Sequence, residues 1–313
     1  LEKPLSRDVL ILGGSYFAGR ALVERLLQEK TGQVFIFNRG NIPLNLIGVN
    51  EFHGDRTDPF SIQRYLPKRR WDVVIDFCAY KPDDVEMVLQ SMIGTVGQYI
   101  FVSTTSVYDH SAMLPFDETS PTVNGPQHEL GEYAFYAFDK IQTEKRLEQI
   151  CRKKSIPWTI LRPSILYGRF NYAPRENYFF EQLQKDDPLI IPNPDLALFS
   201  FIYVEDFAKI IIGCIGNPDV YDIVLNAVSD EYVSYRTYIQ TLSRIFGKKI
   251  RTVRMSIAEI EKQRIPLPFT IDQHQIYSGT RLYRKLGFEF TPLAQGMEKT
   301  FGFYKANLKK RER

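Results

Sequence analysis

The chain has 313 residues, of which 44% are hydrophobic, 25% charged and 13% aromatic, enough for one large or two modest folded domains. Collagenous, mucin-like and intrinsically disordered compositions are excluded. Forty basic residues against 37 acidic ones leave a net charge of +3, too mild for the field of an obligate nucleic-acid binder.

From Asp8 onward, short runs rich in Val, Ile and Phe alternate with amphipathic stretches. The runs at 9–12, 34–37, 73–77, 99–103 and 158–161 predict strands, and 17–30, 83–93 and 132–152 predict helices, with Ala21, Leu22, Arg25 and Leu26 at helical spacing. Strands alternating with helices imply βαβ units and a parallel sheet. After Gly168 the rhythm breaks. Residues 169–198 are aromatic and polar, interrupted by Pro174, Pro188, Pro192 and Pro194, and read as an inserted lobe. FSFIYV (199–204), the helix-like EDFAKIIIGCIG and YDIVLNAV (221–228) return to the α/β pattern. A helix-rich stretch from Ser229 ends in basic KANLKKRER, expected to fray in solvent. The fold class is α/β: a Rossmann-type doubly wound parallel sheet from 1–168 and 199–228, with a smaller C-terminal lobe from 169–198 and 229–313.

The first predicted strand runs into Gly13, Gly14, Ser15, Tyr16, Phe17, Ala18 and Gly19, and a helix follows. Glycines there allow positive φ and close helix–sheet packing, and free amides at a helix start favour a pyrophosphate. The second strand ends at Asn38-Arg39-Gly40, without the acidic residue that would hold a ribose 2′-hydroxyl. Arg39 offers a charged fork suited to a 2′-phosphate, so NADP(H) is expected in preference to NAD(H). In the stretch GDRTD, Asp55 lies at the end of the third strand, from which it could bond adenine, with Arg56 beside it. A turn-forming role for Asp55 stays open. Phe77, closing the 73–77 run, is assigned to the same cofactor site.

Tyr136 and Lys140 stand four apart in a predicted helix and share a face. They follow the strand YIFVS, which ends in Ser103-Thr104-Thr105-Ser106, at the sheet edge where ligands of open α/β folds gather. Tyrosine is a poor base at neutral pH, and a nearby ammonium and an oxidised nicotinamide would stabilise its phenolate. A hydroxyl of the cluster could then orient a substrate alcohol.

The cysteines Cys78, Cys151 and Cys214 are far apart and form no C-x-x-C pair, which argues against a disulfide framework or zinc site and for a reduced, cytoplasmic compartment. His53, His110, His128 and His274 show no metal spacing, and no metal is expected. The start LEKPLSRD has no apolar signal core, and no apolar run approaches the roughly 18 residues of a membrane span.

ILGGSYFAG, GDRTD, FVSTTSVY, Tyr136-x-x-x-Lys140, LRPSILYG and FIYVEDFA, in this order over about 290 residues, resemble the extended short-chain dehydrogenase/reductase superfamily and its NAD-dependent sugar epimerase/dehydratase group. The resemblance implies a catalytic Thr104, an acid/base Tyr136 and a ribose-binding Lys140. It also implies a pyrophosphate held at Gly13, Gly14 and Gly19, and a nicotinamide pocket lined by Pro163 and Ser164. The expected function is hydride transfer between the cofactor and a hydroxyl or ketone of a sugar or nucleotide-sugar, in a possible homodimer through 83–93 and 132–152.

Three departures qualify the resemblance. Tyr16 replaces a glycine of the family's turn, a variant with FNRG after the second strand that looks like the branch of chloroplast stem-loop RNA-binding proteins. A catalytically silent cofactor-binding regulator or RNA-associated protein is the alternative reading. Thr105-Ser106 replaces the Asp-Glu of 4,6-dehydratases, which disfavours water elimination. Phe199 and Ser200 stand near the place of a diphosphate-binding arginine, for which Arg169, Arg175, Arg236 or Arg281 could substitute.

Overall fold

A strand covered by helices on both faces must be apolar along its whole length, and β1 (Arg7–Leu12) is buried from Val9 to Leu12. Val9 and Ile11 pack on one side with Ala21 and Leu22 of α1 (Phe17–Glu29). Leu10 and Leu12 pack on the other, in a separate core. The computed structural model describes residues 7–30, 32–110, 113–173, 175–269 and 271–311. Pro174 and the LEKPLS start lie outside them.

The sheet continues through β2 (Gly32–Asn38), β3 (Val49–His53), β4 (Val73–Asp76), β5 (Tyr99–Val102), β6 (Trp158–Pro163) and β7 (Ile223–Ala227). These strands pair in parallel in the order β7-β6-β5-β4-β1-β2-β3. The order reverses between β1 and β4, and the crevice outside their carboxyl ends is where such folds take ligands. Helix α2 (Pro82–Ser91) packs on α3 (Tyr136–Lys154) over the second core, where Val85, Val88 and Leu147 meet Trp71 and Phe101.

The helix expected from 132 begins at Tyr136. Gly131, at φ +58° and ψ −120°, breaks the preceding turns of 128–133. The strand expected at 199–204 forms, but not in the large sheet. Phe199–Tyr203 pairs in parallel with Ile165–Tyr167 and antiparallel with Tyr232–Val233. The reason is its aromatic neighbours: Phe199 and Phe201 contact Tyr235, Tyr238 and Phe269, which lie in the C-terminal part of the chain. Helix α4 (Glu176–Gln184) adds Phe179 to this cluster. Helix α5 (Val204–Cys214) follows and packs on α1, tying the small sheet to the large one. The basic tail, expected to fray, continues the helix Leu293–Arg311, and Glu312 and Arg313 lie outside the described residues.

No helix among the described residues is long and apolar enough to cross a membrane. No cluster of three or more His, Cys, Asp or Glu among them could hold a metal ion.

Candidate active site

Between β1 and α1 the chain turns through Gly13 and Gly14 at φ +101° and +85°, values that favour glycine. A Cβ on Gly19 would lie 2.8 Å from the backbone of Gly14, so helix and turn meet through bare backbone. Tyr16 precedes α1 in extended conformation with no side-chain cap, and the first turn carries no acid. The leading amides and the positive end of the helix dipole are left for an anion, which fits a cofactor pyrophosphate.

Two adjoining cavities open at this edge. One, of about 530 Å³, is bordered by Asn38, Arg39, Asp55 and Arg56. The other, of about 450 Å³, runs from the glycine turn past Phe77 and Ser103 to Thr104, Tyr136, Lys140, Pro163 and Ser164. Gly13, Ser15, Arg39, Cys78 and Tyr80 border both, so they form one groove. All the residues assigned from sequence to cofactor and catalysis line it.

Lining the groove does not leave every side chain available. Arg56 donates from both Nη atoms to Asp76, at 2.6 and 2.8 Å, and its guanidinium is part of the scaffold under the groove. The Ser103 hydroxyl donates to Glu144, which also receives a two-pronged contact from Arg162, so Ser103 meets the groove without a free hydroxyl. One oxygen of Asp55 accepts from the amide and hydroxyl of Thr57 at 2.8 and 2.7 Å, the turn-forming arrangement. Those bonds, with Arg39 and Arg56 nearby, hold its carboxyl below the usual range. Asn38 accepts from the Gly40 amide at 2.7 Å and shapes the turn on which Arg39 sits. Arg39 itself is exposed, borders both cavities and forms no ion pair among the described residues.

Thr104, at the start of a short turn, accepts from the Ser106 amide and donates to the Ser106 hydroxyl, both at 3.1 Å, and lines the groove with Tyr136. Tyr136 is 38% exposed, with its open side on the groove. Burial of its hydroxyl end pushes the phenol upward, while Thr104 and the charge of Arg175 pull it down. Lys140 is 3% exposed. Its Nζ donates to the carbonyls of Ala79 and Val102 at 2.8 and 3.1 Å and lies 4.8 Å from the Tyr80 ring centre. Burial pushes its pKa down to about 8, although Asp76, Cys78 and Glu144 act in the other direction. An ammonium has three donors, so one remains for the groove.

Sequence reading passed over Tyr80 and Tyr172. Tyr80 follows β4 at the ligand-binding edge, a signal that position alone could have supplied. Tyr172 comes from the irregular segment after Gly168, which gives no such signal. Its ring stacks on Tyr16 at 5.4 Å between centres, joining the glycine turn to the inserted segment across the groove. Cys78 also borders the groove, where burial pushes its thiol up to about 11, away from a reactive thiolate.

A family model described as the NAD dependent epimerase/dehydratase family matches residues 9–225. The chain is 28% identical over 243 residues to the Chloroplast stem-loop binding protein of 41 kDa b of Arabidopsis thaliana, covering 73% of this chain and 60% of that protein. It thus spans less than two thirds of that relative's length. It is 23% identical over 253 residues to the dTDP-D-glucose 4,6-dehydratase of Homo sapiens, covering 71% of this chain and 70% of that protein. Among solved structures, the UDP-glucose 4-epimerase of Thermotoga maritima with UDP-glucose matches with a TM-score of 0.77 at 18% identity, over 96% of this chain and 99% of that one. The UDP-glucuronic acid 4-epimerase of Bacillus cereus with UDP-glucuronic acid and NAD matches with 0.75 at 17%, again over 96% and 99%. At such identities these two establish a common fold.

Proposed function

Because the chain belongs to the NAD-dependent epimerase/dehydratase family, we propose that it transfers a hydride between a nicotinamide cofactor and a hydroxyl or ketone carbon of a sugar, with Tyr136 as acid/base. One observation carries this reading: Thr104, Tyr136 and Lys140 line one groove that begins at the glycine turn. The nicotinamide, when bound, supplies the hydride acceptor and donor.

The chain's own residues do the rest. Gly13, Gly14 and the start of α1 hold the pyrophosphate, and the remaining donor of Lys140 holds a ribose hydroxyl. Thr104 orients the substrate hydroxyl. Tyr136 takes its proton at the phenolic oxygen and gives it back when the carbonyl is reduced. No carboxylate lines the groove around Tyr136 among the described residues, which supports epimerisation or simple reduction over loss of water. Arg39 supports NADP(H) over NAD(H).

The test is Tyr136→Phe in a coupled assay over nucleotide-sugars and simple sugars. Turnover should fall roughly 100- to 10,000-fold, with cofactor affinity within twofold of wild type. Wild-type turnover in the variant would remove Tyr136 from the chemistry.

Similarity to a stem-loop binding protein favours a second reading, a cofactor-holding protein that recognises structured RNA. It requires a stem-loop RNA to bind at physiological salt, and an affinity that falls as salt rises. No RNA binding together with sugar turnover would leave the enzyme reading alone.

A further inference from the structure

In the C-terminal lobe, Leu189–Asn193 pairs in parallel with Thr252–Ser256, with Leu189 opposite Thr252 and Ile191 opposite Arg254. Alternate side chains of a strand share a face, so these four stand on one side of the two-stranded sheet. The helix Tyr235–Phe246 lies against it, and its Arg236, Ile239, Gln240 and Ser243 recur at i, i+3, i+4 and i+7, a single helical stripe. Stripe and sheet enclose a cavity of about 280 Å³, which Lys249 and Ile250 also border. It shares no lining residue with the cofactor groove. Arg236, open from sequence as a diphosphate anchor, is therefore placed away from that groove.

The cavity has an apolar floor, because Ile191, Ile239 and Ile250 are buried. Its rim is cationic: Arg236, Lys249 and Arg254 are exposed, and no carboxylate lines it. Among the described residues, none of these three side chains forms an ion pair or a hydrogen bond. The acids close by are engaged elsewhere. Asp186 is shared by Lys248 and Arg251, at 3.0 and 3.4 Å. Asp195 accepts from the amides of Tyr235 and Arg236, at 3.2 and 2.9 Å. Arg236 also stands in the first turn of its helix, the end at which the dipole disfavours a cation. Three like charges around one concavity repel each other, and an anion held among them relieves that repulsion. Guanidinium forks match the paired oxygens of a phosphate. Beneath them the isoleucines offer apolar surface to a ring, and the Gln240 amide can both donate and accept.

We propose that this cavity is a second ligand site, which takes a nucleotide with its phosphate on Arg236, Lys249 and Arg254 and its base or ribose on the isoleucine floor. At about 280 Å³ it falls just below the roughly 300–1,000 Å³ of ordinary small-molecule pockets, which limits it to one nucleotide unit. That unit is a free mononucleotide or one residue of an RNA strand, and the phosphate chemistry is the same for both. The site does not depend on the role of Tyr136 in the groove.

The experiment is calorimetric titration at low salt of the chain saturated with NADPH, which keeps other nucleotides out of the cofactor groove. The probes are AMP, UMP, adenosine, uridine and a short single-stranded RNA. At least one mononucleotide should bind tenfold or more tightly than its nucleoside. The double variant Lys249→Gln/Arg254→Gln should weaken it at least tenfold and hold NADPH within twofold. The groove variants Arg39→Ala and Arg175→Gln should leave it unchanged. RNA that binds at least tenfold more tightly than the mononucleotide and shares the loss assigns a nucleic acid. RNA that binds no more tightly assigns a free nucleotide; either supports the proposal.

Affinity unchanged in the folded double variant overturns it. So do a nucleoside that binds as well as its nucleotide, an absence of saturable binding by both mononucleotides and RNA, or a loss that appears in the groove variants instead. Circular dichroism establishes folding, and Arg236→Gln replaces a double variant that fails to fold.

Discussion

Arg56 and Asp76 face each other through two parallel hydrogen bonds beneath the cofactor groove, with Asp76 fully buried and also accepting from Tyr99 at 2.6 Å. Amides of Cys78 and Ala79 donate to the same carboxylate, so the pair fixes the loop that leaves β4. Removing one partner strands a buried charge. Arg56→Ala should destabilise the protein by about 3–5 kcal/mol in urea unfolding at pH 7. Burial raises the Asp76 pKa, but Arg56, Tyr99 and Cys78 outweigh it and hold it low. Its contribution is complete above the unfolded carboxyl value of about 4 and is lost as pH falls through the lower folded value. Arg56→Ala should therefore move acid unfolding to higher pH.

Lys140 has the opposite sign. Its folded pKa is about 8, below the ordinary lysine value. Between about 8 and about 10.4 the unfolded chain binds a proton that the native chain has released, so this group makes stability rise with pH there, by at most about 1.4 kcal/mol per unit. Urea unfolding at pH 7.5, 8.5 and 9.5 should show that component in wild type and lose it in Lys140→Met.

Arg39 borders both cavities and has no ion-pair partner among the described residues. If it receives a 2′-phosphate, Arg39→Ala should weaken NADPH roughly tenfold, about 1.4 kcal/mol, and leave NADH unchanged in a fluorescence titration. Equal small losses for the two cofactors would return Arg39 to the solvent.

Glu144 joins Ser103 to Arg162, and both members of the Glu144–Arg162 pair are almost fully buried. Arg162 also lies over the Tyr108 ring. Glu144→Ala leaves its guanidinium uncompensated, and a loss of about 3–5 kcal/mol is expected in denaturant unfolding. Glu144→Gln, which keeps hydrogen-bonding capacity, should lose less.

The central strands were legible because fully buried parallel strands read as continuous apolar runs, and the glycine turn because its φ values restrict the residue type. The partners of long polar side chains were not. Arg56 meets an aspartate twenty residues away, and Lys140 two carbonyls from separate loop and strand ends. Local pattern carries no record of either contact. For Phe199–Tyr203, composition identifies a buried strand, but its sheet is decided by aromatic residues from beyond Ser229. Tyr172 and Arg175 belong to a segment without periodicity, where only the folded chain brings them to Tyr136.

The stacked rings of Tyr16 and Tyr172 bear on how long a cofactor stays in the groove. One ring belongs to the turn that would hold the pyrophosphate and the other to the segment across from it, so a cofactor lying beneath the pair would leave only once the rings part. A net reductase must exchange its cofactor in every cycle and would carry that opening as a kinetic tax. An epimerase, which returns the hydride it removes, can work with a resident one. If the chain works as an epimerase with such a resident cofactor, wild type should leave purification with nicotinamide still attached, read by absorbance after denaturation, and Tyr172→Ala should retain less of it.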